Sequence, residues 1–173
     1  MTHVDHATLR SIFVTGLQNA HAVEHQALAL IDRQLDRLVH YPDVAERLRL
    51  HRRETEDQIG RLEAILGEMR ESPSGLKDMA LGLIGNLAAL AHAPAPDEVL
   101  KNSFVTLAFE NFEIASSRSL LTLAEAGSYS HALPLLGASL AEEEAMAAWV
   151  EEHIPAITLR YVELRSEGRA ASR

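Results

Sequence analysis

Cysteine is absent from the 173 residues, which excludes a disulfide scaffold, a thiolate metal site and a cysteine nucleophile. Glycine and proline are scarce, at 9 and 6 residues, so few positions interrupt regular structure. Positive charge is also in short supply: 16 Lys and Arg against 25 Asp and Glu leave a net charge of −9. That balance repels phosphate backbones and anionic lipid, so nucleic acid is not an expected partner. The longest weakly polar stretch, Met79 to Ala91, is shorter than a membrane span, and no basic-then-apolar leader stands at the N-terminus. The expectation is a soluble cytoplasmic protein with no membrane partner. Phosphate-cradling loops are missing, since Gly82-Leu-Ile-Gly85 has the wrong spacing and no preceding strand. Ser116, Ser117 and Ser119 lack the glycines of a nucleophile elbow.

What is present is helical pattern. Apolar residues recur at intervals of three and four from Leu9 to Val39, Val44 to Met69, Val99 to Leu123 and Leu133 to Ile157. His40-Tyr41-Pro42 and Gly127-Ser128-Tyr129 are short links that force antiparallel neighbours. Residues 72 to 97 form a long connection with its own short apolar helix, about Leu76 to Ala91. The expected fold is therefore all-α: a ferritin-like antiparallel four-helix bundle with a long crossover between helices 2 and 3. Residues 1–165 read as one domain and 166–173 as a flexible polar tail. Pro155 should kink or end the fourth helix.

Carboxylates stand where leucines belong. The first-helix row Leu17, Glu24, Ile31, Leu38 and the fourth-helix row Leu136, Glu143, Val150, Ile157 are aliphatic except for one glutamate each. In the third helix the row Leu100, Leu107, Ile114, Leu121 is clean, but Glu110 sits on its shoulder with Glu113 one turn further on. In the second, His51, Thr55 and Gln58 interrupt the apolar stripe, with Glu54 one turn after His51. Singly, each has a bland explanation: a glutamate whose carboxylate reaches water past its stem, or a hydrogen-bonded core histidine. Together they place a polar level near the middle of all four helices. Burying one unpaired carboxylate costs several kcal/mol, so four or five exceed a domain's stability of roughly 5–15 kcal/mol. A cation must lie between them. Arginines fall mostly on other faces, and carboxylate with imidazole suits iron or manganese, with zinc as a third option.

These residues resemble the YciE/YciF-type ferritin-like stress proteins of bacteria. The likeness runs from about Ile12 to Val150 and is strongest over His51-Arg-Arg-Glu54-Thr55 with Gln58, Ile59, Arg61 and Leu62. Glu110-Asn-Phe-Glu113-Ile-Ala, Leu140-Ala-Glu142-Glu143 and Ala22-Val23-Glu24 are similar to the family's other helix signatures. The resemblance implies a four-helix bundle with a di-metal site, often dimeric, and nominates Glu24, His51, Glu54, Glu110, Glu113 and Glu143 as ligands or near neighbours. Two features depart from it: Glu-x-x-His pairs occur nowhere in the chain, only the reversed His21-x-x-Glu24 and His51-x-x-Glu54, and Ser117 replaces a usual tyrosine.

Three functions follow. The first is a metal-binding protein, related to stress, with a di-metal iron or manganese site. The second is a structural or interaction bundle whose site is degenerate and metal-free. The third, a hemerythrin-like sensor, draws on His21, His25 and His51 but finds no histidine in the third helix. A homodimer is expected, because the third helix carries Val105, Phe109, Phe112 and Leu123 opposite its core row, more apolar surface than one bundle interior takes up.

Overall fold

The computed structural model describes residues 5–73 and 97–169. Within them the chain forms four helices and no strand: α1 (His6–Leu35), α2 (Pro42–Glu68), α3 (Glu98–Ala126) and α4 (Ala132–Ser166). The short helix expected at Leu76 to Ala91 and residues 170–173 of the tail lie outside the described residues. Asp5 caps α1 by accepting from the backbone N–H of Thr8 at 3.0 Å and of Ala7 at 3.4 Å. Pro42 opens α2, where its missing N–H leaves no bond unmade.

α1 packs on α2 and α3, and α4 packs on the same two, so α2 and α3 lie across a diagonal. Arg10 at the start of α1 donates to the Met69 carbonyl just past the end of α2 at 2.8 Å. Arg37, just past the end of α1, pairs with Glu98 at the start of α3 at 2.7 Å. α2 thus ends and α3 begins at opposite ends of the bundle, an arrangement that a tight hairpin cannot join. No helix among the described residues is long and apolar enough to cross a membrane.

The core falls into two large clusters and a small third one of Val23, Ala27, Leu30 and Phe109. At one end Phe13, Leu17, Leu62, Leu66, Leu120 and Leu136 pack together, and at the other Ile31, Leu48, Val99, Met146, Val150 and Ile157. Between them lies the polar level described below.

Two expectations are met only in part. α4 does not end at Pro155 but continues through it to Ser166. Pro155 and Glu151 are both exposed, so water can take the carbonyl that the proline leaves unpaired, while Val150, Ile157 and Leu164 hold both sides of the helix in the core. The inward face of α3 is also wider than the row Leu100, Leu107, Ile114, Leu121, of which Ile114 is buried and the others pack against the core clusters. Leu100, Leu107 and Leu121 are only partly buried, whereas Val105 and Phe109 are buried, with Phe109 against Val23, Ala27 and Leu30 of α1. A helix apolar nearly all round does not announce which stripe turns inward.

The α3–α4 turn shows why Gly127 is small. Its φ is an ordinary −87°, and the left-handed residue is Ser128, at φ 58°. A Cβ on Gly127 would collide with the Tyr129 ring and lie 2.8 Å from Leu9, and that ring is stacked on Phe13 with centroids 4.9 Å apart. Gly127→Ala should therefore lower stability by about 1–3 kcal/mol through overpacking. Gly60 is exposed mid-helix, and a Cβ there would meet nothing within 4 Å, so Gly60→Ala should raise it by about 0.5–1 kcal/mol. Chemical denaturation of both variants checks the pair, and equal effects would overturn the packing explanation.

Candidate metal centre

Side chains one and two turns apart on a helix share a face, and α2 turns His51, Thr55 and Gln58 inward. Thr55 satisfies itself by donating to the His51 carbonyl at 2.9 Å, which leaves His51 and Gln58 to face the interior. α1 brings Glu24 to this level, α3 brings Glu110 and Glu113, and α4 brings Glu143. Exposure is 1% for His51 and Glu143, 3% for Glu110, 4% for Glu113 and 7% for Glu24, too little for carboxylates to rely on bulk water.

His51 is central. Its Nδ1 lies 3.2 Å from Glu54, and its Nε2 lies 3.3 Å from Glu110 and 3.9 Å from Glu143. Glu54 is in turn paired with Arg47 at 2.9 Å. This chain fixes the ring, committing Nδ1 to the outer carboxylate and turning Nε2 toward the inner ones. Ligand atoms of His51, Glu110 and Glu143 lie within 4.8 Å of one another, close enough for one ion. Of the other nominated residues, Glu24 and Glu113 line the same level, while Glu54 stands behind the imidazole. As ionised acceptors, six carboxylate oxygens in the level meet no donor, one each of Glu24 and Glu110 and both of Glu113 and of Glu143, although a proton on Glu143 lets it hydrogen-bond Glu110.

The electrostatics follow from that crowding. Burial, reinforced by Glu110, pushes Glu24 up to about 8 although His51 opposes it. Burial and the Glu110 carboxylate beside it push Glu143 up to about 11, with Glu24 adding to the rise and the Gln58 amide acting against it. Glu113 is held well above the ordinary carboxylate range by burial and then by Glu24, Glu143 and Glu110. Burial alone lowers His51, but Glu110 and then Glu54 outweigh it and raise it to about 9. Glu54 drops to about 2, because its hydrogen bond to His51 and its contact with Arg47 overcome its partial burial.

Although arginines fall mostly on other faces, two of them reach the rim of the level. Besides Arg47, Arg61 makes a two-pronged pair with Glu142, both contacts at 2.7 Å, and Glu142 accepts from the Gln58 amide at 2.9 Å. Arg61 also donates to Ser139 at 3.2 Å. Glu142 opens the acidic run Glu142-Glu143-Glu144, and the signal for its role is Arg61, three residues past the polar position Gln58 on a helix that faces it. His21 pairs with Glu63 at 3.2 Å and meets His25 edge-on, and neither joins the trio around His51. The donor set is one imidazole among carboxylates, unlike the histidine-dominated hemerythrin-like arrangement.

Comparison with known proteins agrees with the fold. The family described as a domain of unknown function, DUF892, matches residues 8–163. The Escherichia coli (strain K12) protein YciF is 29% identical over 146 residues, spanning 80% of this chain and 85% of YciF. A crystal structure of a protein from Xanthomonas campestris pv. campestris superposes with a TM-score of 0.78 at 28% identity, covering 92% of this chain and 99% of that one. The crystal structure of the E. coli stress protein YciF gives a TM-score of 0.71 at 22% identity, covering 94% and 99%.

The shifted groups set a pH dependence for the metal-free protein. Glu24, Glu113 and Glu143 hold protons more tightly folded than unfolded. Their contribution is complete below their ordinary value of 4.5 and is withdrawn as pH climbs toward about 8 for Glu24 and about 11 for Glu143. His51 adds a loss of the same sign between 6.5 and about 9. Glu54 acts oppositely, its contribution vanishing only as pH falls from 4.5 toward about 2. Chelator-treated protein should melt highest near pH 5 and lose at least about 5 °C by pH 8, equivalent to roughly 2 kcal/mol. A thermal-melt series that is flat or rises over that span would overturn this account.

Proposed function

The chain belongs to the DUF892 family and is homologous to YciF, and from that premise we propose that it is a ferritin-like metal-binding protein with iron or manganese in its bundle core. The carrying observation is the set of six unpartnered carboxylate oxygens around a single inner imidazole. Buried oxygens without donors are costly, and a hard or borderline cation satisfies many of them at once. On this reading His51, Glu110 and Glu143 hold one ion, and Glu24 and Glu113 complete a second position beside it, giving a di-metal centre. Glu54 orients His51 from behind, as carboxylates do for metal-bound histidines. A bound iron or manganese supplies one-electron redox chemistry, and a role under stress, as the designation of the E. coli relative has it, belongs to the same reading.

Elemental analysis of protein purified without chelator or a nickel column should find iron or manganese, and Glu143→Ala and Glu24→Ala should each lose most of it. Near-zero metal in the unaltered protein would sink the proposal. The raised carboxyls favour one rival: Glu24 and Glu143 keep protons at neutral pH, so a metal-free structural bundle can hold its level by protonation. Bound metal stabilises by mass action, by about 2.7 kcal/mol at a hundredfold excess over Kd. The metal protein should therefore melt several degrees lower after chelation, and the structural bundle should not change.

The same reading includes a homodimer. Phe104 and Phe112 of α3 are 51% and 37% exposed and Ile12 of α1 is 53% exposed, apolar surface of the kind that a second copy covers. Sedimentation at micromolar concentration should give a dimer that Phe112→Glu dissociates, and a 19.0 kDa monomer for the unaltered chain would overturn it.

A further inference from the structure

Gln58 is fully buried at the polar level, one turn past Thr55 and two past His51 on the inward face of α2. One end of its amide is accounted for: Nε2 donates to Glu142 at 2.9 Å, and the amide lies beside Glu143 and favours its charged form. The other end is not, since Oε1 is buried with no partner. Amide nitrogen and oxygen are interchangeable in shape, so the network must fix which is which. It does. Glu142 is gripped by Arg61 through both oxygens at 2.7 Å, and a carboxylate so held can only accept. The nitrogen must face Glu142, with Glu143 beside the same donor end, and the carbonyl oxygen is left buried at the level with no partner.

Gln58 and His51 are thus held in the same way. Behind His51 stand Glu54 and Arg47; behind Gln58 stand Glu142 and Arg61. In each case an arginine fixes a carboxylate and the carboxylate takes up the donor end of an α2 side chain, which leaves Nε2 of His51 toward Glu110 and Glu143 and Oε1 of Gln58 buried without a partner. Such an arrangement commits two ion pairs to the orientation of two side chains, and a buried amide oxygen aimed at nothing is otherwise unfavourable.

Resting on the metal reading above, we propose that Gln58 is a further metal ligand, supplying its neutral Oε1, and that the Arg61–Glu142 pair is the brace that holds this oxygen toward the ion. Neutral amide carbonyls are ordinary ligands of hard cations. The braced amide adds an oxygen without adding charge to a level that already holds four carboxylates.

The test uses full-length protein, stripped with chelator and refilled with Mn²⁺ or Co²⁺, with Kd measured by competition against a chelating indicator and the Co²⁺ absorption bands recorded. Gln58→Met keeps the volume and removes the oxygen; it should weaken Mn²⁺ binding about tenfold or more and shift the Co²⁺ bands. Gln58→Glu returns an oxygen at the same place and should restore or tighten binding. If Gln58 served only as a hydrogen-bond donor to Glu142, Gln58→Glu would set two carboxylates against each other and bind no better than Gln58→Met; that result, or unchanged affinity in Gln58→Met, overturns the assignment. Should Gln58→Met fail to fold by circular dichroism, Gln58→Leu replaces it with the same expectation. Metal uptake by the unaltered chain separates the ligand from the site: if it takes up neither ion, the metal reading falls and this ligand with it, whereas uptake with indifferent Gln58 variants removes Gln58 alone.

Discussion

A carboxylate withdrawn from water must keep its proton, find a donor or share a cation, and in this protein four of them meet inside one bundle with a single imidazole between them. Everything else in the architecture answers to that requirement. Most of the apolar core is parted into two large clusters, one around Leu17, Leu62 and Leu136 and one around Leu48, Met146 and Val150, and these supply most of the hydrophobic stabilisation that the polar level withholds. The level also fixes register. Sliding any helix by two turns would set a glutamate against leucines and leave a charge buried alone, a penalty of several kcal/mol.

α2 carries the division of labour furthest. Its inward face offers His51 and Gln58, and both are steadied by ion pairs that reach the level from its rim, Arg47–Glu54 and Arg61–Glu142. These pairs are partly exposed, so as isolated salt bridges they contribute little. Their value lies in direction: each takes up the donor end of an inner side chain and so decides which atom faces the other helices. Protons and cations then compete for the same oxygens. The groups that hold protons most tightly, Glu113 and Glu143, are among those a metal would have to deprotonate, so on the proposed reading uptake would strengthen as pH rises.

The chain by itself determined the helices, their order and the level of the polar residues. A 3.6-residue period needs no partner to be visible, and one glutamate in the aliphatic row Leu17, Glu24, Ile31, Leu38 marks both a face and a depth. Tertiary structure decided what periodicity leaves degenerate. α3 is apolar nearly all round, so only packing against α1 shows that Phe109 turns in and Leu107 lies at the margin. Pro155 is compatible with a continuous α4 because its face meets water, a property of the assembled bundle. Whether His51 meets Glu110 and Glu143, and whether Glu142 is solvated or clamped by Arg61, depends on side chains from different helices arriving within 3 or 4 Å of one another, whereas the Arg47–Glu54–His51 chain runs along α2 alone. Local sequence sets the height of a residue along its helix; the distance across the bundle, on which ion pairing and ligation depend, exists only once the helices have packed.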